Sequence, residues 1–326
     1  MAKEAPQPGA AAAAVVAGRS TPRRSYTEVE GSPTQRFITN SRRLLTNVLE
    51  TRLVGTGLWI LAIVIFCAFF ADLITPYPPN EQDYVAITEP PSAAHWLGTD
   101  DLGRDILARI IYGTRVSLMV GMIAVGIALV LGVTLGLIAG YAGGMVDDVT
   151  MRIMDAVQAF PGLILALGIT AALGPRFPDM PPIWHAMIAI GIVATPAISR
   201  LTRAQTLSIR ERDFVHAAQV LGASPYKIIT KHIWPNVTAP IIVQATLLVA
   251  TAILTEASLS FLGVGVKPPT ATWGSMLRTG SQYIETAPWL AFAPGVAIFA
   301  TVLAFNFVGD GLRRALDPRL MSRRKS

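Results

Sequence analysis

Cysteine and charge are both scarce in this sequence. Cys67 is the single cysteine among 326 residues, which rules out an internal disulfide, and the lack of a C-x-x-C pair argues against a structural zinc site. Charged residues make up 15% of the chain, whereas a soluble protein carries about 25%. With 52% hydrophobic residues, most of the chain is also too apolar to be intrinsically disordered. The composition therefore predicts a polytopic membrane protein.

Motifs for nucleotide binding, zinc catalysis and nucleophilic catalysis are missing too. The sequence has no G-x-x-x-x-G-K-[ST], no H-E-x-x-H and no G-x-S-x-G. The histidines are not spaced as ligand pairs on a helix; they are His95, His185, His216 and His232. We therefore expect no catalytic residue, no metal site and no cofactor bound by this chain.

Six charge-free runs follow the N-terminal region. A helix needs about 20 residues to cross a hydrocarbon core of about 30 Å, and the runs reach this length, the fourth only marginally. They do not alternate polar with apolar residues, as barrel strands do, so the prediction is an all-α fold with six transmembrane helices. The runs are Leu53–Ala71, Val116–Val146 (with a span near Ser117–Tyr141), Ala156–Pro175, Met180–Ser199, Ile233–Thr255 and Thr286–Gly309.

The predicted spans hold almost no ionisable residue. No Asp or Glu lies within the predicted spans, apart from Glu256 at the terminus of the fifth run. Carriers driven by protons usually keep an ionisable residue at membrane depth, because that residue takes up the coupling proton. If this chain moves a solute, we expect the energy to come from another subunit.

Basic residues predict the orientation. The formal net charge is +6, but the positive charges lie between apolar runs, which favours cytoplasmic loops over a nucleic-acid surface. With a cytoplasmic N-terminus, the inside segments hold 21 of the 27 Lys and Arg residues. Both termini are therefore expected inside. The inside segments are 1–52, which is predicted to be a flexible tail, 142–155, 200–232 and 310–326.

Glycines in the second run predict close helix packing. Gly132, Gly136 and Gly140 are spaced by four residues, which places them on one face of a helix. Small residues at this spacing let two helix backbones approach closely. The alternative interpretation is the general enrichment of glycine in membrane helices.

The inside segment at 213–235 has the pattern of two short helices joined by a glycine turn. Asp213 lies in the first turn of a helix that reaches Leu221, and Gly222 ends it. Ser224 and Pro225 begin a second helix, which is expected to break at Pro235. The small residues that such a segment could present to a partner are Ala217, Ala218 and Gly222. An ordinary amphipathic helix at the membrane surface is the alternative.

Several long motifs in this segment and around it resemble one family. Ala217, Ala218, Gly222 and Pro235 are in register with the E-A-A-x-x-x-G loop of bacterial ABC importer permeases. Three further stretches resemble the dipeptide, oligopeptide and nickel branch, and the likeness is to its C-type permease. They are HWLGTDDLGRDILARIIYGTRVSL (His95–Leu118), EASLSFLGVGVKPPTATWGSML (Glu256–Leu277) and FATVLAFNFVGDGLRRALDPRL (Phe299–Leu320).

This resemblance implies the type I importer permease fold, with a transmembrane domain at 112–316 that contains the coupling loop 213–235. Residues 53–111 would hold the first transmembrane helix and an extracytoplasmic segment, and 317–326 a cytoplasmic tail. The implied partners are a second homologous permease, two cytoplasmic ABC ATPase subunits that bind the ATP and Mg²⁺, and an extracytoplasmic solute-binding protein. The expected cargo is a di- or oligopeptide; the alternatives are nickel, glutathione or an oligosaccharide, or a stand-alone membrane enzyme or channel.

One residue departs from the family pattern. His216 stands where the family usually has a glutamate, and a neutral imidazole cannot supply that anion. Asp213, one turn earlier, could supply it instead, or the partner surface has changed in step.

The outer loops offer candidate contacts for the binding protein. These are Lys267, Pro268, Pro269 and Trp273. Alternatively, the two prolines, together with Gly263 and Gly265, simply shape a re-entrant turn.

Overall fold

The computed structural model describes residues 52–316, which form ten α-helices and one π-helical turn. Within this range the β-structure is limited to one isolated bridge between Thr99 and Asp105. The helices are α1 (Arg52–Ile74), α2 (Ile106–Ala142), α3 (Gly144–Gln158), α4 (Gly162–Arg176), α5 (Pro182–Arg210), α6 (Asp213–Val220), α7 (Pro225–Ile228), α8 (Trp234–Phe261), α9 (Trp273–Gln282) and α10 (Trp289–Leu316), with the π turn at Ile229–Ile233.

Five helical stretches are long and apolar enough to cross a membrane. They are α1, α2, α5, α10 and the continuous helix Pro225–Phe261, which comprises α7, the π turn and α8. The pair α3 and α4 passes the same test together, so the number rises to six if the pair forms one span. The predicted all-α membrane fold is confirmed.

The third predicted span is not one straight helix. Ala156–Pro175 was expected to be continuous, but α3 and α4 meet at a bend of 92°. Pro161 lies in the break; it lacks an N–H donor, and it disfavours the helical conformation for Phe160 before it. α4 has 15 residues and is thus about 22 Å long, which is too short to cross the hydrocarbon core alone.

The remaining helices extend beyond the charge-free runs. α2 begins at Ile106, because the Asp105 carboxylate accepts a 2.7 Å hydrogen bond from the backbone N–H of Ala108 and caps the helix. The expected domain boundary at residue 111 therefore falls inside α2, and the division into domains stays a prediction. α5 likewise continues to Arg210, eleven residues past the predicted end at Ser199.

Glu256 is not at a helix terminus, as the charge-free run suggested. It lies inside α8, five residues before the helix ends, and its side chain is fully buried. One carboxylate oxygen accepts a 2.7 Å hydrogen bond from the Ser260 hydroxyl, one helical turn later. A buried carboxyl group within a span is thus present after all, and Ser260 partly satisfies it.

The most extensive contact between two helices of the described bundle is that of α2 with α5. Gly132, Gly136 and Gly140 are buried on the α2 face that meets α5. A Cβ atom at these positions would lie 2.7 Å from Ile198 Cβ, 2.5 Å from Ser199 O and 2.8 Å from Thr206 Cβ, respectively. Only glycine leaves room for these backbones at this distance.

The two predicted tails lie outside the described residues. This applies to all of 1–52 except Arg52 and to 317–326. The flexibility of 1–52 stays a prediction from composition, and so does the cytoplasmic position of both tails.

Candidate functional site

The segment after α5 folds as a surface hairpin, which we define as Asp213–Ile228 and which contains α6 and α7. Gly222 adopts a φ of +76°, and a Schellman pattern closes α6. Its two backbone hydrogen bonds run from Gly222 N to Gln219 O (2.9 Å) and from Ala223 N to Ala218 O (3.0 Å). Glycine is favoured here because other residues are strained at positive φ.

The second half of the surface hairpin leads directly into the membrane. The Ser224 hydroxyl accepts a 3.4 Å hydrogen bond from the backbone N–H of Lys227, and Pro225 occupies the first turn. The expected break at Pro235 is wrong, because the helix continues from Pro225 to Phe261. Pro235 lies in the first turn of α8, after the π turn.

The inner face of the surface hairpin packs into a small hydrophobic core. Val215 and Ile228 are buried there together with Ile233 and Val237 of the following helix. Ala218 belongs to the same core and is 8% exposed. It was predicted to face a partner, but a position three residues after Val215 lies on the same inward face of α6.

The outer face of the surface hairpin is exposed and apolar at its tip. Ala217 and Gly222 are exposed, as a docking role for them requires. Beside them Val220 is 88% exposed, Leu221 86% and Tyr226 78%. Large apolar side chains with this exposure indicate a binding surface.

Sequence reasoning missed these three large residues. A usable signal was present for Val220 alone, which is out of phase with the buried positions Val215 and Ala218 on a helix of 3.6 residues per turn.

The polar side of α6 carries His216, which stands in place of the family glutamate, and Asp213, the candidate for the missing anion. Asp213 lies in the first turn and is exposed. His216 Nδ1 is 3.3 Å from Gln219 Oε1, and its Nε2 is 3.9 Å from the Glu211 carboxylate. Both residues are therefore accessible to a partner, and the structure does not bring them into contact with each other.

The surface hairpin is mechanically connected to the membrane helices. Only Glu211 and Arg212 separate α6 from α5, and α7 continues into α8. Its core also includes partly buried Leu129 and Val133 of α2. A force applied to the hairpin would therefore reach three membrane helices.

Among residues 52–316, no three His, Cys, Asp or Glu side chains are grouped closely enough to hold a metal ion. The surface hairpin, with its exposed apolar tip and its connections to α2, α5 and α8, is suited to docking and force transmission.

At the other end of α8, Trp273 does not have the predicted exposure. It is 1% exposed at the start of α9, and its indole N–H donates a 3.0 Å hydrogen bond to the Ile110 carbonyl of α2. A Cβ at Gly113 would lie 2.9 Å from the indole ring. Trp273 is thus a packing residue that joins α9 to α2, and it is not a surface contact.

The remaining three outer candidates are accessible. Lys267, Pro268 and Pro269 are exposed in the loop between α8 and α9, and the Pro268–Pro269 peptide bond is cis. These residues can still meet a partner, unlike Trp273.

The loop before α2 is held by a buried polar network. Arg104 Nε donates a 2.7 Å hydrogen bond to Asp100, and Arg109 Nη1 donates one of 2.9 Å to the Pro79 carbonyl. His95 Nδ1 lies 3.0 Å from the capping carboxylate of Asp105. The polar residues of the stretch His95–Leu118 thereby fix the entry into α2.

Two family models match the sequence. The model described as "binding-protein-dependent transport system inner membrane component" matches residues 132–322. The model described as "N-terminal TM domain of oligopeptide transport permease C" matches residues 43–91.

Curated relatives match most of the chain. The dipeptide transport system permease protein DppC of Alkalihalophilus pseudofirmus is 47% identical and covers 86% of this chain and 90% of its own length. The di/tripeptide permease protein DppC of Pseudomonas aeruginosa is 45% identical over 81% of this chain and 87% of its own. The glutathione transport system permease protein GsiD of Pectobacterium atrosepticum is 43% identical over 82% and 87%.

A solved structure shares the fold. The MetNI methionine ABC transporter, in an inward-facing conformation, contains a chain that matches with a TM-score of 0.53 and 18% identity. The match covers 64% of this chain and 96% of the other.

Proposed function

Because the chain belongs to the family of binding-protein-dependent transport system inner membrane components, we propose that it is the permease subunit of an ATP-driven importer of di- and oligopeptides. The observation that carries this proposal is the similarity to peptide permeases along most of the chain, at up to 47% identity. The matched part includes both the surface hairpin and membrane helices. The similarity therefore extends to the surface on which we expect an ATPase to dock and to the helices that we expect to line the solute path.

The ATPase belongs to partner chains in this proposal. The sequence has no phosphate-binding loop, so ATP and Mg²⁺ are held by two cytoplasmic ABC subunits. One of them docks on the exposed tip of the surface hairpin, where Val220, Leu221 and Tyr226 supply apolar contact area. Asp213 and His216 form the polar edge of the same contact.

The remaining partners complete the importer. A second, homologous permease lines the solute path with this chain inside the lipid bilayer. An extracytoplasmic binding protein delivers the peptide to the opposite side, where Lys267, Pro268 and Pro269 are accessible. No nucleic acid takes part.

The location is the bacterial inner membrane, with both termini in the cytoplasm. The bent pair α3 and α4 then counts as one crossing, which gives six in total. This orientation follows the excess of basic residues on the side of the surface hairpin.

A topology experiment checks the orientation. A reporter fused after Arg210 is expected to read cytoplasmic, because the basic segment 200–232 stays inside. A reporter placed in Asp83–Glu89 is expected to read extracytoplasmic. Paired alkaline phosphatase and green fluorescent protein fusions measure both sites, and the reverse pattern at both would overturn the orientation.

Purification of the assembled complex tests the function itself. The tagged chain, extracted in mild detergent from cells that express its neighbours, is expected to bring a second permease and ABC ATPases with it. Vanadate-sensitive ATP hydrolysis by this complex should rise when a peptide-loaded binding protein is added. In proteoliposomes, labelled dipeptide uptake should require ATP.

Other results would redirect the proposal. If nickel, glutathione or an oligosaccharide is taken up and dipeptides are not, the importer stands and the peptide cargo is wrong. A chain that purifies alone while its partners are expressed, or that transports without ATP, supports a stand-alone enzyme or channel.

A further inference from the structure

The bent pair α3–α4 is only lightly packed into the bundle. Of the fifteen residues in α3, Asp147 and Met154 are buried, and in α4 only Ala166 and Thr170 are. Hydrophobic burial alone therefore holds this pair weakly, since little apolar area leaves the solvent or lipid. Something else must fix α3.

Two ion pairs attach α3 to α5. The guanidinium of Arg203 donates two hydrogen bonds to the Asp147 carboxylate, one from Nε and one from Nη2, the latter 2.5 Å long. Arg200 Nη2 lies 2.5 Å from Asp155 Oδ1. The two arginines are three residues apart on one face of α5, and the two acids are eight apart on one face of α3. We call these four residues the arginine clamp.

The stronger half of the arginine clamp is the pair at Asp147. This carboxylate is 12% exposed, and its contact with Arg203 is bidentate, which fixes both distance and orientation. The pair of Arg200 with Asp155 is more exposed, at 44% and 57%, and contributes less.

The same end of α5 carries the surface hairpin. Three residues after Arg210 the chain enters α6, and Arg210 itself donates a 2.9 Å hydrogen bond to the Tyr141 carbonyl at the end of α2. Any movement imposed on the hairpin is thus applied to the segment of α5 that holds α3.

We propose that the arginine clamp transmits movement of the surface hairpin to the bent pair α3–α4, so that its four residues are positioning residues for transport. The inference rests on the proposed function, in which an ATPase moves the hairpin. When α5 moves, α3 moves with it, because the two ion pairs of the arginine clamp connect the two helices. The 92° bend turns that displacement into movement of α4, which packs against α5 and α8.

Peptide uptake per ATP hydrolysed, measured with the assembled complex in proteoliposomes, tests this role. Asp147→Asn and Arg203→Gln are each expected to lower the ratio about 2- to 30-fold, the range typical when a coupling residue is altered. ATP hydrolysis should persist, because the hairpin still docks. Asp155→Asn should have a smaller effect in the same direction.

A charge exchange separates transmission from mere structure. The double variant Asp147→Arg with Arg203→Asp is expected to restore most of the ratio, since it recreates the pair in reverse. Arg152→Gln is the matched control: Arg152 is exposed on α3, forms no ion pair within residues 52–316, and should behave as the wild type.

Two results overturn the inference. Single variants that assemble and keep the wild-type ratio would remove the clamp from the mechanism. An assembled double variant that remains as poorly coupled as the single variants would show that the ion pair is not what transmits the movement. A wild-type complex without ATP-driven uptake contradicts the proposed function instead, and the clamp role falls with it.

Discussion

Replacing Gly136 by valine is expected to prevent α2 and α5 from packing. Even the first added atom, Cβ, would lie 2.5 Å from the Ser199 carbonyl oxygen and 2.6 Å from Thr202 Cβ. The oxygen belongs to the backbone of α5, so a rotamer change cannot relieve the clash and the helices must separate. We expect a loss of about 3 kcal/mol or more in folding free energy, at or beyond the upper end for overpacked cores.

The thermal midpoint of the purified full chain in detergent measures this effect. Gly126→Val is the matched control on the same helix, because a Cβ at Gly126 has no atom within 4 Å. It should leave the midpoint close to that of the wild type. Equal midpoints for the Gly136 and Gly126 variants would show that the close approach of α2 and α5 does not limit stability.

Gly222→Val is expected to abolish stimulation of ATP hydrolysis while leaving membrane insertion intact. The cause is conformational, since a Cβ at Gly222 would meet nothing within 4 Å, whereas the φ of +76° is strained for a β-branched residue. Such strain costs about 1–3 kcal/mol, which lowers the population of the correctly shaped turn roughly 5- to 160-fold. The assay is ATP hydrolysis by the reconstituted complex with and without peptide-loaded binding protein.

Gly222→Asn distinguishes backbone shape from side-chain size at the same position. Asparagine tolerates positive φ better than valine, so this variant should retain most of the stimulation. If asparagine is as damaging as valine, the partner contacts Gly222 itself and leaves no room for a side chain. Normal stimulation in the valine variant would remove the hairpin turn from the coupling mechanism.

The fold class could be predicted from the sequence because membrane helices need long apolar runs. The ends of the helices could not be predicted in this way, because a span defined as a charge-free run ends at the nearest charged residue even where the helix continues. The second run stops at Arg115, whereas α2 continues back to its cap at Asp105. It passes through Arg109, which is 5% exposed and donates a hydrogen bond to the Pro79 carbonyl. The bend between α3 and α4 was also missed, although Pro161 stood within the apolar run.

The candidate site shows a similar division. Local rules for capping and positive φ were sufficient for the turn at Gly222 and for the helix start at Ser224. Which side faces a partner depends on tertiary packing, so Ala218 was misplaced and Leu221 overlooked. Trp273 was misjudged for the same reason, because the carbonyl that accepts its indole hydrogen bond lies 163 residues away in sequence.

The π turn at Ile229–Ile233 determines the orientation of the surface hairpin relative to α8. A π turn holds one residue more than an α-helical turn, and each residue of an α-helix advances the face by about 100°. Everything before the turn, including the exposed Tyr226, is therefore rotated by about this angle relative to a regular helix continuing back from α8. A deletion of one residue in this turn would therefore point the docking tip in a different direction, by about 100°, and would leave α8 at its full length.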